Sequence, residues 1–259
     1  MYNIGEIERE IYRLRSMHPL IIPQIDPDKY TKDNAKIWFE NVKSNDISII
    51  AMGGSMVDNV KVQELLNLAV ADYDFKILLY LTNNTGSVKG IKGKTALYWT
   101  QVPYSTNTFY TWDGLVSNSL NVSKNNLEPL PTVYVFDERE SRGTANWITR
   151  STPIPRTKPE ISLAVAKAAE YLGNRFYIMA GGSGSKNPPP IEHVSLISKK
   201  TSLFLIPTSG INTKSHADEL FAAGADALHI GNRLEKDGGF DVLNEMVSIS
   251  KRYKGKNFL

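Results

Sequence analysis

Cysteine is absent from this chain of 259 residues, so neither a disulfide framework nor a thiolate metal site is open to it. An excess of one charge is missing too: 30 Lys plus Arg stand against 27 Asp plus Glu, a formal net charge of +3, with no block of like charges. So mild a balance gives no reason to expect nucleic acid as a partner. No basic start leads into an apolar leader, and no apolar run approaches the roughly 20 residues of a bilayer span. The expectation is a soluble, cytoplasmic protein. With 41% hydrophobic content, residues 1–259 suffice for one large core and a single domain.

What is present is a repeat of short apolar strand, small-residue turn and helix. It is clearest from Arg175 to Asn232, where three β-rich runs end in Gly181-Gly182-Ser183-Gly184, in Ser209-Gly210 and in Gly231-Asn232. Turns of this composition let backbone N–H groups crowd around an anion with no Cβ in the way, the usual cradle for a phosphate. Tight chain reversal is the plainer reading of each turn, but three in succession exceed what reversal requires.

The remaining segments follow the same order. Residues 3–17 form an amphipathic lid or cap helix with Ile4, Ile7, Ile11 and Leu14 on one face. Strands are predicted at 19–25, 47–52, 76–81, 95–99, 131–136, 175–180, 202–206 and 226–230. Helices are predicted after Thr31, with Ala35, Ile37, Trp38 and Val42 buried, and at 59–71, with Val60, Val62, Leu65, Leu66 and Val70 on the apolar face. Further helices are predicted at 159–172, 213–223 and 238–252. Between the third and fourth strands the chain is too short for a helix, so that crossover is missing or replaced. Eight strands, most followed by a helix, make an α/β fold, a modified TIM (β/α)₈ barrel. A gap in its helical ring offers an exit for a long apolar ligand.

Two acidic residues, Asp26 and Asp28, flank Pro27 at the end of the first strand, with Lys29 beside them. A hard cation such as Mg²⁺ takes one or two carboxylates plus water and phosphate oxygens, so either residue suits a metal–phosphate complex. A helix-entry turn with ordinary capping acids is the alternative. Gly53-Gly54-Ser55 follows the second strand at the same level. Residues 98–112 carry Tyr98, Trp99, Tyr104, Phe109, Tyr110 and Trp112, which suit the wall of an apolar groove and core packing equally well. The charged loop 137–152 occupies a place where barrels put active-site covers.

The motifs IDPDK, GGS, AAEYLG with FYIMAGGSGS, and GADALHIGN resemble, in order and over nearly the whole chain, those of the geranylgeranylglyceryl phosphate synthases. Bacterial heptaprenylglyceryl phosphate synthases belong to the same group. The resemblance implies transfer of a prenyl group from a polyprenyl diphosphate to a hydroxyl of a three-carbon phosphate such as sn-glycerol 1-phosphate. It implies Mg²⁺ at Asp26 and Ser55, with Lys29, Gly54, Ser55 and Asn84 on the diphosphate. Tyr177, Gly182, Ser183, Gly184, Ser209, Gly210, Gly231 and Asn232 would hold the acceptor phosphate. The lysines at 89–94 are further candidates for the diphosphate, and a missing third helix is itself a family trait. Self-association is expected, and so is a peripheral membrane contact for the prenyl substrate or product.

The acceptor side departs from the family pattern. Where relatives have Tyr-x-Glu before Gly-Ser-Gly, with the Glu as base, this chain has Tyr177-Ile178-Met179, or Ala180 at the Glu position if the alignment slides by one. Thr208-Ser209-Gly210-Ile211-Asn212 replaces a Gly-Gly-Gly-Ile-Arg run, and Leu81-Thr82-Asn83-Asn84 replaces Phe-Pro-Gly-Asn. The base role then passes to Glu138, Asp137, substrate phosphate or water, and Asp26, Tyr177 and Glu138 are the candidate catalytic residues. Two other readings stand: a phosphate- and prenyl-binding homologue without turnover, and an unrelated sugar-phosphate isomerase or lyase. The last predicts eight closed helices and a short polar pocket.

Overall fold

A computed structural model describes residues 4–80, 88–139 and 143–259. Eight parallel strands close into a barrel in chain order. They are β1 Leu20–Ile25, β2 Ile49–Met52, β3 Lys76–Leu79, β4 Thr95–Gln101, β5 Glu128–Phe136, β6 Phe176–Ala180, β7 Phe204–Thr208 and β8 Ala227–Ile230. The helices are α1 Glu6–Arg15, α2 Lys32–Lys43, α3 Asn59–Tyr73, α4 Trp112–Lys124, α5 Thr144–Thr149, α6 Pro159–Tyr171, α7 Ile191–Lys200, α8 Lys214–Ala222 and α9 Gly239–Ser250.

Successive strand side chains point to opposite faces, and both faces of this sheet are buried. Ile22, Ile49, Leu78, Ala96, Tyr98, Tyr134, Phe136, Phe176, Ile178, Ala180, Phe204, Ile206 and Ala227 fill the barrel. Their neighbours, among them Ile25, Ile50, Ile77, Leu97, Val133, Tyr177, Met179, Leu205 and Leu228, pack outward under the helices. This explains why the strands read as continuous apolar runs rather than alternating ones.

α1 carries Glu6 and Glu8 in its first turn and Arg13 and Arg15 in its last, matching the helix dipole. It closes the end of the barrel where the strands begin. Ile7, Ile11 and Tyr12 enter the interior cluster, and Tyr12 stacks on Phe176 and Phe258 with ring centroids 6.0 and 5.1 Å apart. Glu128 accepts the Ile7 and Glu8 N–H groups at 3.0 and 2.8 Å. Glu8, itself buried, pairs with Arg175. The helix is therefore a plug on the face opposite the mouth.

Several sequence expectations are corrected. Ile37 and Val60 are 57% and 75% exposed; Phe39 takes the inward place in α2, and Val60 lies in the first turn of α3, ahead of its packed face. β7 begins and ends two residues later than predicted, and includes Pro207. α4 was not anticipated: its Gly, Ser and Asn residues lower helix propensity, yet packing against β4 and β5 holds it. The crossover from β3 to β4 has no helix among the described residues, as expected. Val88 is buried in the helix-side core there, and Gln63 of α3 binds the Lys89 backbone through both amide atoms, at 2.7 and 3.0 Å. The segment then runs to the strand-start end, where Lys94 pairs with Asp74. Lys94 is thus at the wrong end of the barrel to meet a diphosphate at the mouth. Asn84 lies outside the described residues.

The plugged end depends on one buried charge cluster. Asp226 accepts from Arg15 Nε at 3.1 Å, Lys256 Nζ at 3.5 Å and the Leu205 N–H at 2.9 Å. Removing one partner of a buried pair strands the other, so Asp226→Ala should lower unfolding free energy by about 3–5 kcal/mol. Urea denaturation checks this, and an unchanged midpoint would refute it.

Candidate active site at the barrel mouth

A cavity of about 530 Å³ opens at the C-terminal ends of the strands, the end at which barrels of this kind place their sites. Its wall combines the first-strand turn (Asp26, Asp28, Lys29), the second (Gly54, Ser55), the sixth (Gly182, Ser183, Gly184), the seventh (Ser209, Gly210) and the eighth (Gly231, Asn232). Every turn singled out in the sequence, apart from that containing Asn84, thus faces one space.

On the acidic side, Asp26 caps the short 3₁₀ turn Pro27–Lys29 by accepting the Asp28 N–H at 3.2 Å. Burial raises its pKa, partly opposed by that hydrogen bond and by Lys29. A Cβ on Gly54 would stand 3.1 Å from the Asp26 carboxylate, so glycine there keeps the second turn close to the acid. Asp28 is occupied differently: it accepts the Asp58 N–H at the start of α3 at 3.3 Å and lies 3.6 Å from Lys61. Lys29 reaches across the mouth to Glu235 at 2.8 Å. Asp26 and Ser55 fit a hard cation that keeps waters and phosphate oxygens as its other ligands; no cluster of three or more His, Asp or Glu exists among the described residues.

On the glycine side, the Asn232 amide donates to Ser183 Oγ at 2.8 Å, joining the sixth and eighth turns. Gly210 has φ +70° and sits under the Asn187 carbonyl, which a Cβ would meet at 1.9 Å. Ser209 holds φ +68° without being glycine, a conformation that costs most residues energy and gathers at functional sites. Gly181 serves the scaffold: a Cβ there would collide with Arg139. That guanidinium pairs with buried Asp137 and donates to the Asn187 and Ser209 carbonyls, each at 2.8 Å. Asp137, its pKa raised by burial against the pull of Arg139, is thereby committed to holding the turns together.

Tyr177 is corrected. It is 0% exposed and belongs to the outward set of β6, so it does not reach the mouth. Its hydroxyl lies buried near Ser162, whose Oγ pairs with His193 Nδ1 at 2.7 Å. Burial pushes its pKa up. Met179 shares that outward face and Ala180 takes the inward one, so strand parity selects the slid alignment. Glu138 is exposed and lines a separate cavity with Arg139, Arg156, Lys186 and Asn187. The 137–152 loop does contribute a cover: Thr144 and Ala145 line the mouth. Of the aromatic stretch, Tyr98 and Tyr110 are buried while Tyr104 and Trp112 are exposed. Tyr110 joins Tyr80, Val102, Tyr134 and Phe136 around an apolar pocket of about 30 Å³, which shares Tyr80 and Tyr134 with the mouth.

The sequence reading passed over Gln24, His229 and Glu235. His229 is 1% exposed in the cavity floor. Its Nε2 lies 2.8 Å from the Tyr98 hydroxyl, and its Nδ1 is buried without a partner, a state that costs about 1–3 kcal/mol when nothing compensates. Burial drops its pKa to about 3, so it is neutral. A lone histidine at an inward position of an apolar strand was the available signal.

No protein-family model matches the chain. Among curated proteins it is similar to the geranylgeranylglyceryl phosphate synthase of Pyrococcus furiosus, 30% identical over 251 residues that span 96% of this chain and 98% of that protein. The Methanosphaera stadtmanae protein of the same name is 30% identical over 245 residues, 94% of this chain and 98% of its own. Among solved structures, the Thermoplasma acidophilum (S)-3-O-geranylgeranylglyceryl phosphate synthase in complex with substrate sn-glycerol-1-phosphate superimposes with TM-score 0.86 at 22% identity. The match covers 97% of this chain and 100% of that one. At that identity the superposition establishes the fold.

Two predictions follow from strand parity and burial. Met179→Glu buries a charge beneath the helices, so it should lower the melting temperature sharply and restore no carboxylate to the mouth; a neutral effect would contradict the assigned face. His229 is faced by Tyr80 and Tyr98, whose pKa values burial raises. Its folded pKa of about 3 lies below the ordinary imidazole value of 6.5. Between those values the unfolded chain binds a proton that the folded one refuses, so this group costs stability as pH falls and nothing above that window. The wild-type denaturation midpoint should therefore fall further than that of His229→Gln between about pH 7 and about pH 4.5. Parallel falls would refute it.

Proposed function

The chain belongs to the geranylgeranylglyceryl phosphate synthase family, and on that premise we propose how its mouth carries out the reaction. The enzyme is a prenyltransferase: a polyprenyl group passes from its diphosphate to a hydroxyl of glycerol phosphate, giving a prenyl ether and pyrophosphate. The observation that carries this reading is the convergence of the acidic turn at Asp26 and the glycine turns at 182–184, 209–210 and 231–232 on one cavity.

The two sides suit different anions. Backbone N–H groups and the Ser183–Asn232 pair suit the phosphate of the acceptor. Asp26, Gly54, Ser55 and Lys29 suit the diphosphate, whose charge rises as the allylic C–O bond breaks. Mg²⁺ held by Asp26 and Ser55 would supply Lewis-acid stabilisation of that leaving group. A cation there also offsets the burial that raises the Asp26 pKa. Lys29, bound to Glu235, positions the first-strand turn against the eighth.

The apolar pocket lined by Tyr80, Val102, Tyr110, Tyr134 and Phe136 begins the path for the prenyl chain. At about 30 Å³ it admits that chain only when its walls move apart. No helix among the described residues is long and apolar enough to cross a membrane. The sugar-phosphate reading called for a complete ring of eight helices; among the described residues the β3–β4 crossover carries none.

Asp26→Ala should reduce transfer from geranylgeranyl diphosphate to sn-glycerol 1-phosphate by about 10²–10³-fold in the presence of Mg²⁺. The melting temperature should be unchanged, because the residue lies on a loop. Retained activity would move the ionic role to Asp28, and a loss equalled by unfolding would make the residue structural.

A further inference from the structure

Attack by an acceptor hydroxyl on an allylic carbon releases a proton, and that proton needs a destination. The inward position at the end of β6 holds Ala180, Asp137 is tied to Arg139, and Glu138 lines another cavity. The barrel register places Ala180 opposite Thr208 and Thr208 opposite His229. The end of β6 and the imidazole therefore belong to one row across three adjacent strands, about two strand spacings apart. In the same row, Thr208 Oγ1 donates to the His229 carbonyl at 3.4 Å.

Resting on the prenyl-transfer reading, we propose that His229 receives the proton of the acceptor hydroxyl, with Tyr98 as its positioning residue. Three observations carry this. His229 lines the floor of the mouth cavity. One ring nitrogen is anchored, Nε2 to the Tyr98 hydroxyl at 2.8 Å. The other, Nδ1, is buried with no protein partner, the state of a group whose partner arrives with a ligand.

In the step itself the allylic C–O bond breaks and its electron pair leaves on the diphosphate. A lone pair of the acceptor oxygen forms the new C–O bond. The O–H proton passes to Nδ1, while Nε2–H donates to the Tyr98 oxygen. The resulting imidazolium gives the proton up to water before the next turnover. A weakly basic imidazole suffices, because a hydroxyl bonded to a carbocation-like carbon is strongly acidic.

The test uses the full chain with geranylgeranyl diphosphate, Mg²⁺ and sn-glycerol 1-phosphate. His229→Gln should lower kcat by about 10²–10⁴-fold while the acceptor KM stays within about threefold. His229→Ala should be partly rescued by free imidazole, whereas His229→Gln, with its site filled, should not. Tyr98→Phe should lower kcat by about tenfold or less, as expected of an orienting group. If His229→Ala fails to fold, His229→Gln with an intact melting transition decides the matter. A folded His229→Gln that keeps wild-type kcat, or loses activity wholly through KM, overturns the proposal. Wild-type protein that transfers a prenyl group to no phosphorylated acceptor overturns the prenyl-transfer reading, and the histidine assignment falls with it.

Discussion

The alternation of side chains along a closed parallel sheet is the constraint on which the rest of the molecule depends. With helices outside and side chains inside, each strand residue points either beneath the helices or into the barrel, and the mouth is lined by the turns together with strand residues such as Gln24, Thr208 and His229. This rule sends Tyr177 and Met179 beneath the helices and turns Ala180 and His229 inward. It also places most of the polar groups of the mouth in the turns, with Gln24, Thr208 and His229 added from strands. The small residues at 182–184, 209–210 and 231–232 line the same cavity as Asp26 for that reason.

The opposite end of the barrel is closed by apolar and ionic contacts that take no part in chemistry. α1 fills it with Ile7, Ile11 and Tyr12, and buried acids fix its edges through Glu8–Arg175 and Asp226–Arg15. At the mouth, the pair Asp137–Arg139 performs an analogous task. From the end of β5 it reaches the carbonyls of Ser209 and Asn187, and Gly181 leaves room for the guanidinium. Charged residues near a site are thus divided between those that hold its frame and those left to meet a ligand.

The two halves of the mouth differ in their chemistry. The acidic half keeps the Asp-Pro-Asp turn and the Gly-Gly-Ser turn in close register, with Gly54 against the Asp26 carboxylate. The glycine half has Ala180 at the inward end of β6, carries Ser209 in a left-handed conformation, and contains a buried histidine bonded to a tyrosine. A site rebuilt around neutral, buried donors and acceptors handles the proton of the acceptor differently from one built around a carboxylate.

Much of the fold was legible in the sequence because apolar periodicity and turn composition are local. The eight strands, most of the helices and the Thr31 cap were all recoverable from short windows. The composition of the small-residue turns that line the mouth was equally local. What the sequence left open turned on single-residue shifts and long-range packing. A slip of one position in FYIMAGG decides whether Met179 or Ala180 faces the cavity, and β7 moved by two residues around Pro207. The lysine at 94 looked close to the diphosphate in the chain, yet its strand starts at the far end of the barrel. The sequence by itself determined the strand–turn–helix order and the chemistry of the turns. Only closure of the barrel decided which side chains share the mouth, because that depends on register among strands far apart in the chain, which no local pattern encodes.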